Sequence, residues 1–586
     1  MVGYYNDDTE DYKLDFFDLP LSKFTAGGEG TPESPYLVST AGDLLQVNQD
    51  PAASYQLARD IDMSLYRKDW MPLNEFTGTL DGAGHTISYL SLGANDGYSG
   101  LFSSTGDKAA VKNLNFVSPT INLTSDTNYA GVVTASAVGT TLSDIHVFDA
   151  SLTAPDGEEA GAVVGGLAGE MSLYSQVNGS SFEGTIQAPD ATGVGGIIGK
   201  AQTSTTVKAC TAKGAFTASR TLGGIAGSTA ADCSVSDSRA EVDLTAVSAI
   251  GGIVGENGSR APIVRSQALG TITSVGTPRW GGRALGGIVG ELASDWSQPD
   301  VPPVVVGDCV SGVSIEYPAP AEGEEADATI HRIVGQTIAN EDYGSEEDPL
   351  TEQGLQQNYA LSTVSVGGQS ISGGTSSDVE GETAEVADLT SEKLQGVLGY
   401  AYGTTVEAPW KDAQPLPVLY FENEARVLTL DRADLSMTEG AEADLTASVY
   451  GIAADGITVS SSEPAVVEAE VSAVEGHSAT LHLTCKGTGT AVITVKAGKL
   501  TATCTVTAVV TGVSDVATVL EPSVKFDGSE VRAAGATGMS LYNAAGQLVA
   551  SSHEARLSTS GLASGAYVVV AHAADGRTVS AKLAVK

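Results

Sequence analysis

Basic residues are scarce in this chain of 586 residues: 30 Lys and Arg stand against 72 Asp and Glu, a formal net charge of −42. That balance excludes a nucleic-acid binder and a protein that clings to anionic membrane surfaces, since both reward clustered cations. It also disfavours polyanionic sugars unless a metal ion bridges, and it keeps a long exposed surface soluble. Cysteine is rare and odd in number, five in all, so no disulfide framework is implied. No apolar run approaches the ~20 residues that span a bilayer. Met1-Val2-Gly3-Tyr4-Tyr5 has neither the basic start nor the apolar stretch of a signal peptide, so export is expected to use a leader absent from this sequence.

Catalytic signatures are equally sparse. The seven histidines are scattered, and none forms a His-Glu-x-x-His pair, so a zinc peptidase is unsupported. No Gly-x-Ser-x-Gly elbow stands in a strand-to-helix setting. Neither a cofactor nor a metal site is expected.

Glycine, by contrast, is abundant at 69 residues. A phrase Gly-Gly-Leu/Ile-x-Gly starts at Gly165, Gly195, Gly223, Gly251 and Gly286, with degenerate copies at Gly100 and Gly131. From Gly100 and Gly131 on through the second glycines Gly166, Gly196, Gly224, Gly252 and Gly287, the steps are 31, 35, 30, 28, 28 and 35 residues. A second block follows each phrase, at residues 180–188, 210–218, 238–246 and 266–274. Two phrases in fixed order within one period mean stacked units. Each unit has room for about three short strands. Val194, Leu222, Ile250 and Leu285 form one apolar column, and Ile197, Ile225, Ile253 and Ile288 another. On a straight strand an odd spacing would put the columns on opposite faces. The Gly-Gly between them permits a corner that turns both inward. The expected fold is therefore all-β: a parallel β-helix, right-handed by the crossover rule. Cys210 and Cys309 fall where other coils carry Ser180, Ser238 and Ser266, which marks them as small fillers rather than nucleophiles.

Four segments follow from the patterning. Residues 1–30 form an acidic, irregular tail, and residues 31–425 the β-helix. Its stretch 391–422, with Trp410 and Pro415-Leu416-Pro417, is expected to cap the open end. Residues 426–510 alternate apolar and polar positions as a β-sandwich does, and residues 511–586 make a third β-rich unit, a small β-sandwich. Cys485 and Cys504 could pair across sandwich strands or remain thiols. Insertions break the period after Gly290 and before Asn358; nine acids between Glu322 and Asp348 against Arg332 alone read as a solvated loop,. Glu170, Glu256 and Glu291 follow the phrase, but Lys200 and Ser228 interrupt them, so they read as a solvated edge. Arg279, Trp280 and Arg283 before one coil, with Trp296 after it, could form a sugar-stacking platform with cationic edges.

The repeat resembles the GLUG motif of bacterial surface proteins. The stretches Gly30–Val38, Asp60–Ser64, Trp70–Leu73 and Phe76–Ile87 look like the opening of such regions, and Asn358-Tyr359-Ala360 and Cys210-Thr211-Ala212 match its second phrase. The segment with Gly489–Val495 and Cys504–Thr507 resembles bacterial immunoglobulin-like group 2 domains. The last segment, with Leu541–Val549, Leu562–Val569 and Lys582–Lys586, is similar to the sorting domain of the Bacteroidota type IX secretion system. These resemblances imply a secreted or cell-surface, non-enzymatic adhesin-like protein, expected to be monomeric. Its partners would be a host protein or glycan, and the type IX machinery acting on residues 511–586. The alternative is a carbohydrate-active β-helix enzyme, lyase or hydrolase, or a glycan-binding module.

Overall fold

The computed structural model describes residues 3–6, 11–14, 27–64, 69–154, 161–258, 261–278, 282–293, 306–318, 328–338, 354–509, 523–526, 530–534, 536–543, 548–552, 554–560, 562–573 and 578–585. Part of the stretch read as an irregular tail is ordered: Gly3–Asn6 pairs antiparallel with Asp11–Leu14.

The repeats form a parallel β-helix. One coil runs through Gly193–Gly195, Ile198–Ala201, Thr206–Lys208 and Thr211–Thr217. These join three long sheets of nine, eight and 24 strands among the described residues. The third sheet is bent, because the three-residue and seven-residue strands of each coil both belong to it. The register fixes the columns: Val194 pairs with Leu222, Leu222 with Ile250, and Ile250 with Leu285. All four are fully buried, as are Ile197, Ile225, Ile253 and Ile288. Each such aliphatic side chain contributes about 1.5–3 kcal/mol when taken from water.

The reason for the glycines differs from the one the sequence suggests. None of the phrase glycines has a left-handed φ. What they lack is room. A Cβ on the first glycine would lie 1.9 Å from Ala168 O at Gly165, Ala226 O at Gly223 and Val254 O at Gly251. On the second it would meet the next coil's backbone, 2.2 Å from Gly252 O at Gly224 and from Gly287 O at Gly252. The third glycine lets the second sheet approach the first: a Cβ at Gly227 would be 2.8 Å from Val194 N. Close backbone packing, rather than a torsion only glycine tolerates, writes the phrase.

The left-handed corner falls elsewhere, inside the bent sheet. Asn113, Asp144, Gly179, Ala209, Asp237, Arg265, Asp308 and Gln357 all have φ between 49° and 59°, and glycine holds just one of these places. The residue after each corner compensates. Ser180 Oγ donates to Asn178 O (2.9 Å) and accepts from Ile145 N (3.1 Å). Ser238 donates to Ser236 O and accepts from Cys210 N, while Asn358 accepts from Cys309 N at 3.2 Å and donates to Val306 O at 2.7 Å. Cys210 and Cys309 stand in this ladder, each thiol pointing at the carbonyl two residues back. Burial pushes both up to about 12. Alkylation of the native protein should therefore leave both unmodified, and Cys210→Ser should cost less than about 1.5 kcal/mol, as volume-conserving swaps do. Rapid labelling of the folded chain at Cys210 would contradict the ladder.

The segment expected to cap the open end runs back along the flank instead. Leu389 and Leu394 pack with Tyr359, Leu361 and Ala384 of the last coils. Lys393 Nζ lies 4.2 Å from the Tyr359 ring centroid. Then Trp410 Nε1 donates to Asp237 Oδ1 (3.3 Å), Glu407 pairs with Lys208, and Arg426 reaches Asp144 at 3.0 Å. The strap thus runs from the last coils back to the coils around residues 208–239 and ends against Asp144. Its Leu398, Tyr400, Trp410, Leu419 and Phe421 are buried in this seam. A row of apolar side chains on an outward sheet face explains the path, since an end cap would leave that row wet.

The sandwich that follows has two four-stranded sheets over one core. In one, Val427–Leu430, Glu442–Tyr450, Ser478–Cys485 and Val467–Glu475 lie side by side. In the other, the order is Asp434–Thr438, Leu500–Val509, Gly489–Ala497 and Ile457–Ser461. Cys485 and Cys504 are both buried free thiols. They sit on strands of opposite sheets and stand as free thiols, the second of the two alternatives the sequence leaves open. Among the described residues of the last unit, a sheet of three strands and one of four lie around Val531, Met539, Leu541, Leu557 and Val569.

Candidate functional site

The strap delivers the sandwich onto the side of the early coils, and the two enclose a cleft of about 330 Å³. Its solenoid wall carries His146, Phe148, Ser181, Glu183, Thr211 and Lys213. The strap adds Phe421, Glu422, Asn423 and Arg426, and the sandwich adds turns 451–453 and 476–477. The contact that holds them is small: Val117 and Phe148 of the solenoid against Val427 and Tyr450. The Tyr450 ring lies 5.6 Å from Phe148 and 4.7 Å from the His477 ring.

Around that apolar centre the titratable groups are paired. His477 Nε2 lies 3.3 Å from Glu183 Oε1, across the domain junction. Lys213 Nζ faces Glu422 at 3.5 Å and Glu241 at 3.8 Å. Arg239 donates to Glu422 Oε1 at 3.1 Å, and the other oxygen of that buried carboxylate accepts from Leu419 N at 2.7 Å. His146 is buried with its ring nitrogens on Ser181 Oγ (2.8 Å) and Asp144 Oδ1 (2.9 Å).

The physical causes set the charge states. Burial holds His146 down to about 4 despite Asp144, so the ring is neutral at pH 7. Burial also pushes Asp144 up, but the hydrogen bond from His146 and the nearby Arg426 outweigh it and leave that carboxyl low. The hydrogen bond between Glu183 and His477 lowers the carboxyl and raises the imidazole. The two histidines thus respond to pH in opposite senses. A raised His477 contributes fully below its unfolded value, near 6.5, and the contribution is lost as pH rises through its higher folded value. A depressed His146 costs stability as pH falls from 6.5 towards about 4,. Docking of the sandwich, followed by hydrogen exchange at residues 450–453 and 476–477, should be tightest near pH 6.5 and weaken on both sides. A flat profile between pH 4.5 and 9 would contradict these assignments.

The residues singled out by sequence do not converge here. Arg279, Trp280 and Trp296 lie outside the described residues. Arg283 is not a loop cation: it begins the strand Arg283–Gly286, is buried, and donates from Nε to Ser274 Oγ (2.9 Å) and from its guanidinium to Gly276 O. Arg332 is fully buried as well, not part of a solvated acidic loop. The edge glutamates also need correction. Glu256 and Glu291 are register partners on adjacent coils, so acids do stack there. Burial and the neighbouring Glu256 raise Glu291, and Arg220 lies 3.6 Å from Glu256. Glu256 and Arg220 line a smaller groove of about 210 Å³ that includes Lys200 and Ser228. Among the described residues no three His, Cys, Asp or Glu side chains converge as a metal site would require.

Comparison with known proteins adds little that is specific. No family model matches the sequence. Over 198 residues the chain is 30% identical to halomucin of Haloquadratum walsbyi, a stretch that is 32% of this chain and 2% of halomucin. Over 129 residues it is 34% identical to a Gly-rich membrane protein of Evansella cellulosilytica, covering 20% of this chain and 15% of that protein. The chain thus spans a small fraction of the curated relatives it matches. Domains 4 and 5 of the S-layer protein SbsC superpose with a TM-score of 0.14 at 21% identity, over 16% of this chain and 58% of that one. An IgA1 protease superposes with a TM-score of 0.32 at 15% identity, over 60% of this chain and 22% of its own. Neither superposition is close enough to bear on function.

Proposed function

We propose that this is a cell-surface or secreted, non-enzymatic adhesin-like protein of the GLUG type. In this reading the solenoid, with the sandwich docked on it, binds a host protein or a glycan. The observation that supports it most is the use of charge in the cleft. Glu183, Glu422, Arg239, Arg426 and His477 are each committed to an ion pair, which suits a rigid binding surface better than a proton-transfer site. The strand order of the sandwich, with its first, third, sixth and fifth strands in one sheet, supports the immunoglobulin-like resemblance. The relative named as a membrane protein supports an envelope location, and residues 511–586 serve in this reading as the type IX sorting signal. Incubation with host and plant glycans separates binding, turnover and neither; binding without turnover is expected. Removal of 511–586 should trap the protein in the periplasm, and normal surface display of that truncation would sink the sorting assignment.

One observation favours the carbohydrate-active alternative. Glu256 and Glu291 stack on adjacent coils, Glu291 with its carboxyl raised by burial and by Glu256, and Glu256 beside Arg220; paired carboxyl groups are what sugar hydrolysis uses. Glycan turnover abolished by Glu291→Gln would install that reading in place of adhesion.

A further inference from the structure

We propose that the cleft between solenoid and sandwich binds a neutral sugar, and that the bound sugar joins the two domains. The proposal rests on the adhesin reading and names the ligand class and the place. The cleft lies where two domains meet, and its volume of about 330 Å³ is at the lower end of the ~300–1,000 Å³ of small-molecule sites. That suits a ligand of one or two rings rather than a polymer chain laid along a groove.

Charge decides the class. The cationic groups at the cleft, Lys213, Arg426 and His477, each face a carboxylate: Glu422, Asp144 and Glu183 respectively. An ionic ligand would gain no net field and would have to displace an internal partner. Hydroxyl groups face no such competition. They accept from ammonium or imidazolium and donate to carboxylate as charge-assisted hydrogen bonds, without breaking the pairs. The half-exposed turn 451–452 and the turn at exposed Gly476 and half-exposed His477 add neutral backbone partners. Asn423, exposed and with a left-handed φ of 58°, also lines the cleft. Ile452, half-buried, and the edges of the buried Phe148 and Phe421 give the cleft its apolar lining, against which the C–H face of a sugar ring can rest,. Because the walls come from both domains, a sugar that fills the cleft binds the docked form alone, and so tightens docking by mass action.

The test uses the full chain, titrated with methyl glycosides of glucose, galactose, mannose and N-acetylglucosamine, with glucuronate and glucosamine as charged counterparts. Saturation-transfer NMR reads binding, and hydrogen exchange at residues 476–477 reads docking. At least one neutral glycoside should bind better than both charged sugars and slow exchange at 476–477. Ala453→Arg, at an exposed lining position, should weaken it at least tenfold while leaving the thermal melt unchanged. Asn423→Gly keeps the left-handed φ and should weaken it about threefold. No binding by any neutral glycoside, preference for a charged sugar, or undiminished binding in Ala453→Arg would overturn the proposal. Retention of the protein on host cells or a glycan surface that survives Ala453→Arg would overturn the cleft while leaving the adhesin reading intact.

Discussion

Replacing Gly223 or Gly251 by alanine is expected to unfold the middle of the solenoid, at a cost of about 3 kcal/mol or more. A single methyl group is a small change in most surface strands. Here the new Cβ would lie 1.9 Å from a backbone carbonyl oxygen, Ala226 O or Val254 O, and within 2.8 Å of the next coil's backbone nitrogen, Gly255 N or Gly290 N. No rotamer change relieves a clash with backbone, so a strand must move and the ladder to both neighbours opens. Overpacking that flexible side chains can absorb costs about 1–3 kcal/mol, and this site lacks that relief. Gly396 provides the control. It ends the helix Ser391–Gly396 with nothing within 4 Å of its Cβ direction. Gly396→Ala should be neutral or stabilising by up to ~1 kcal/mol. Thermal unfolding followed by circular dichroism, with hydrogen exchange across residues 193–257, reads both. A Gly223→Ala protein that melts with the parent would remove the steric account of the repeat.

Arg332→Met should be comparably severe, and the damage should be confined to the last coils. His331-Arg332-Ile333-Val334-Gly335 takes the place of the phrase there: His331 pairs in register with Gly286, and Ile333 continues the isoleucine column. The second glycine of each earlier coil is obligatory because another coil stacks beyond it; a Cβ on Gly287 would lie 2.1 Å from Arg332 O. Among the described residues no further coil of that kind follows Arg332, and its side chain enters the space instead. It donates to Thr383 Oγ1 (2.9 Å), Gly373 O (2.6 Å), Gly381 O (3.0 Å) and Glu380 Oε2 (3.4 Å). The arginine thus gathers 371–383 over the end of the stack. Methionine of similar bulk would take the guanidinium away from these groups and from Ile371 O, which it meets at 3.3 Å, although Glu380 keeps His331 Nδ1 at 2.7 Å; each buried hydrogen bond left unmade costs about 1–3 kcal/mol. Arg332→Lys should recover part of the loss, since an ammonium restores charge but not the planar fork. Hydrogen exchange should rise at 355–384 in Arg332→Met and stay unchanged at 193–227. Uniform loss of protection along the solenoid would contradict a local plug.

These two residues show what the sequence could and could not reveal. The period, the apolar columns and the parallel stacking were legible because each coil repeats the same demand, and Ile197, Ile225, Ile253 and Ile288 record it four times. The physical role of the glycines was not, since a torsional need and a steric need select the same residue. Arg332 was misplaced for a related reason: a residue that ends a repeat departs from its pattern, and departures look like loops. The cleft left no signal. His146, Glu183, Lys213, Glu422 and His477 come from three segments, and no local spacing connects Glu183 to His477. The return of the strap was hidden as well, because the apolar row it covers reads in sequence like any half-buried strand.

That return places the sandwich, the cleft and every functional proposal that rests on it. Zero-length carbodiimide coupling tests it most directly, since it joins an amine and a carboxylate only when they touch. Lys208 and Glu407 are in contact across 199 residues of sequence, and the Glu407 carboxylate is exposed to the reagent. Peptide mapping of the coupled monomer should recover Lys208 joined to Glu407. A strap whose Glu407 does not couple to Lys208, while the exposed pair Lys486 and Glu468 within the sandwich couples normally, would mean that the chain does not fold back.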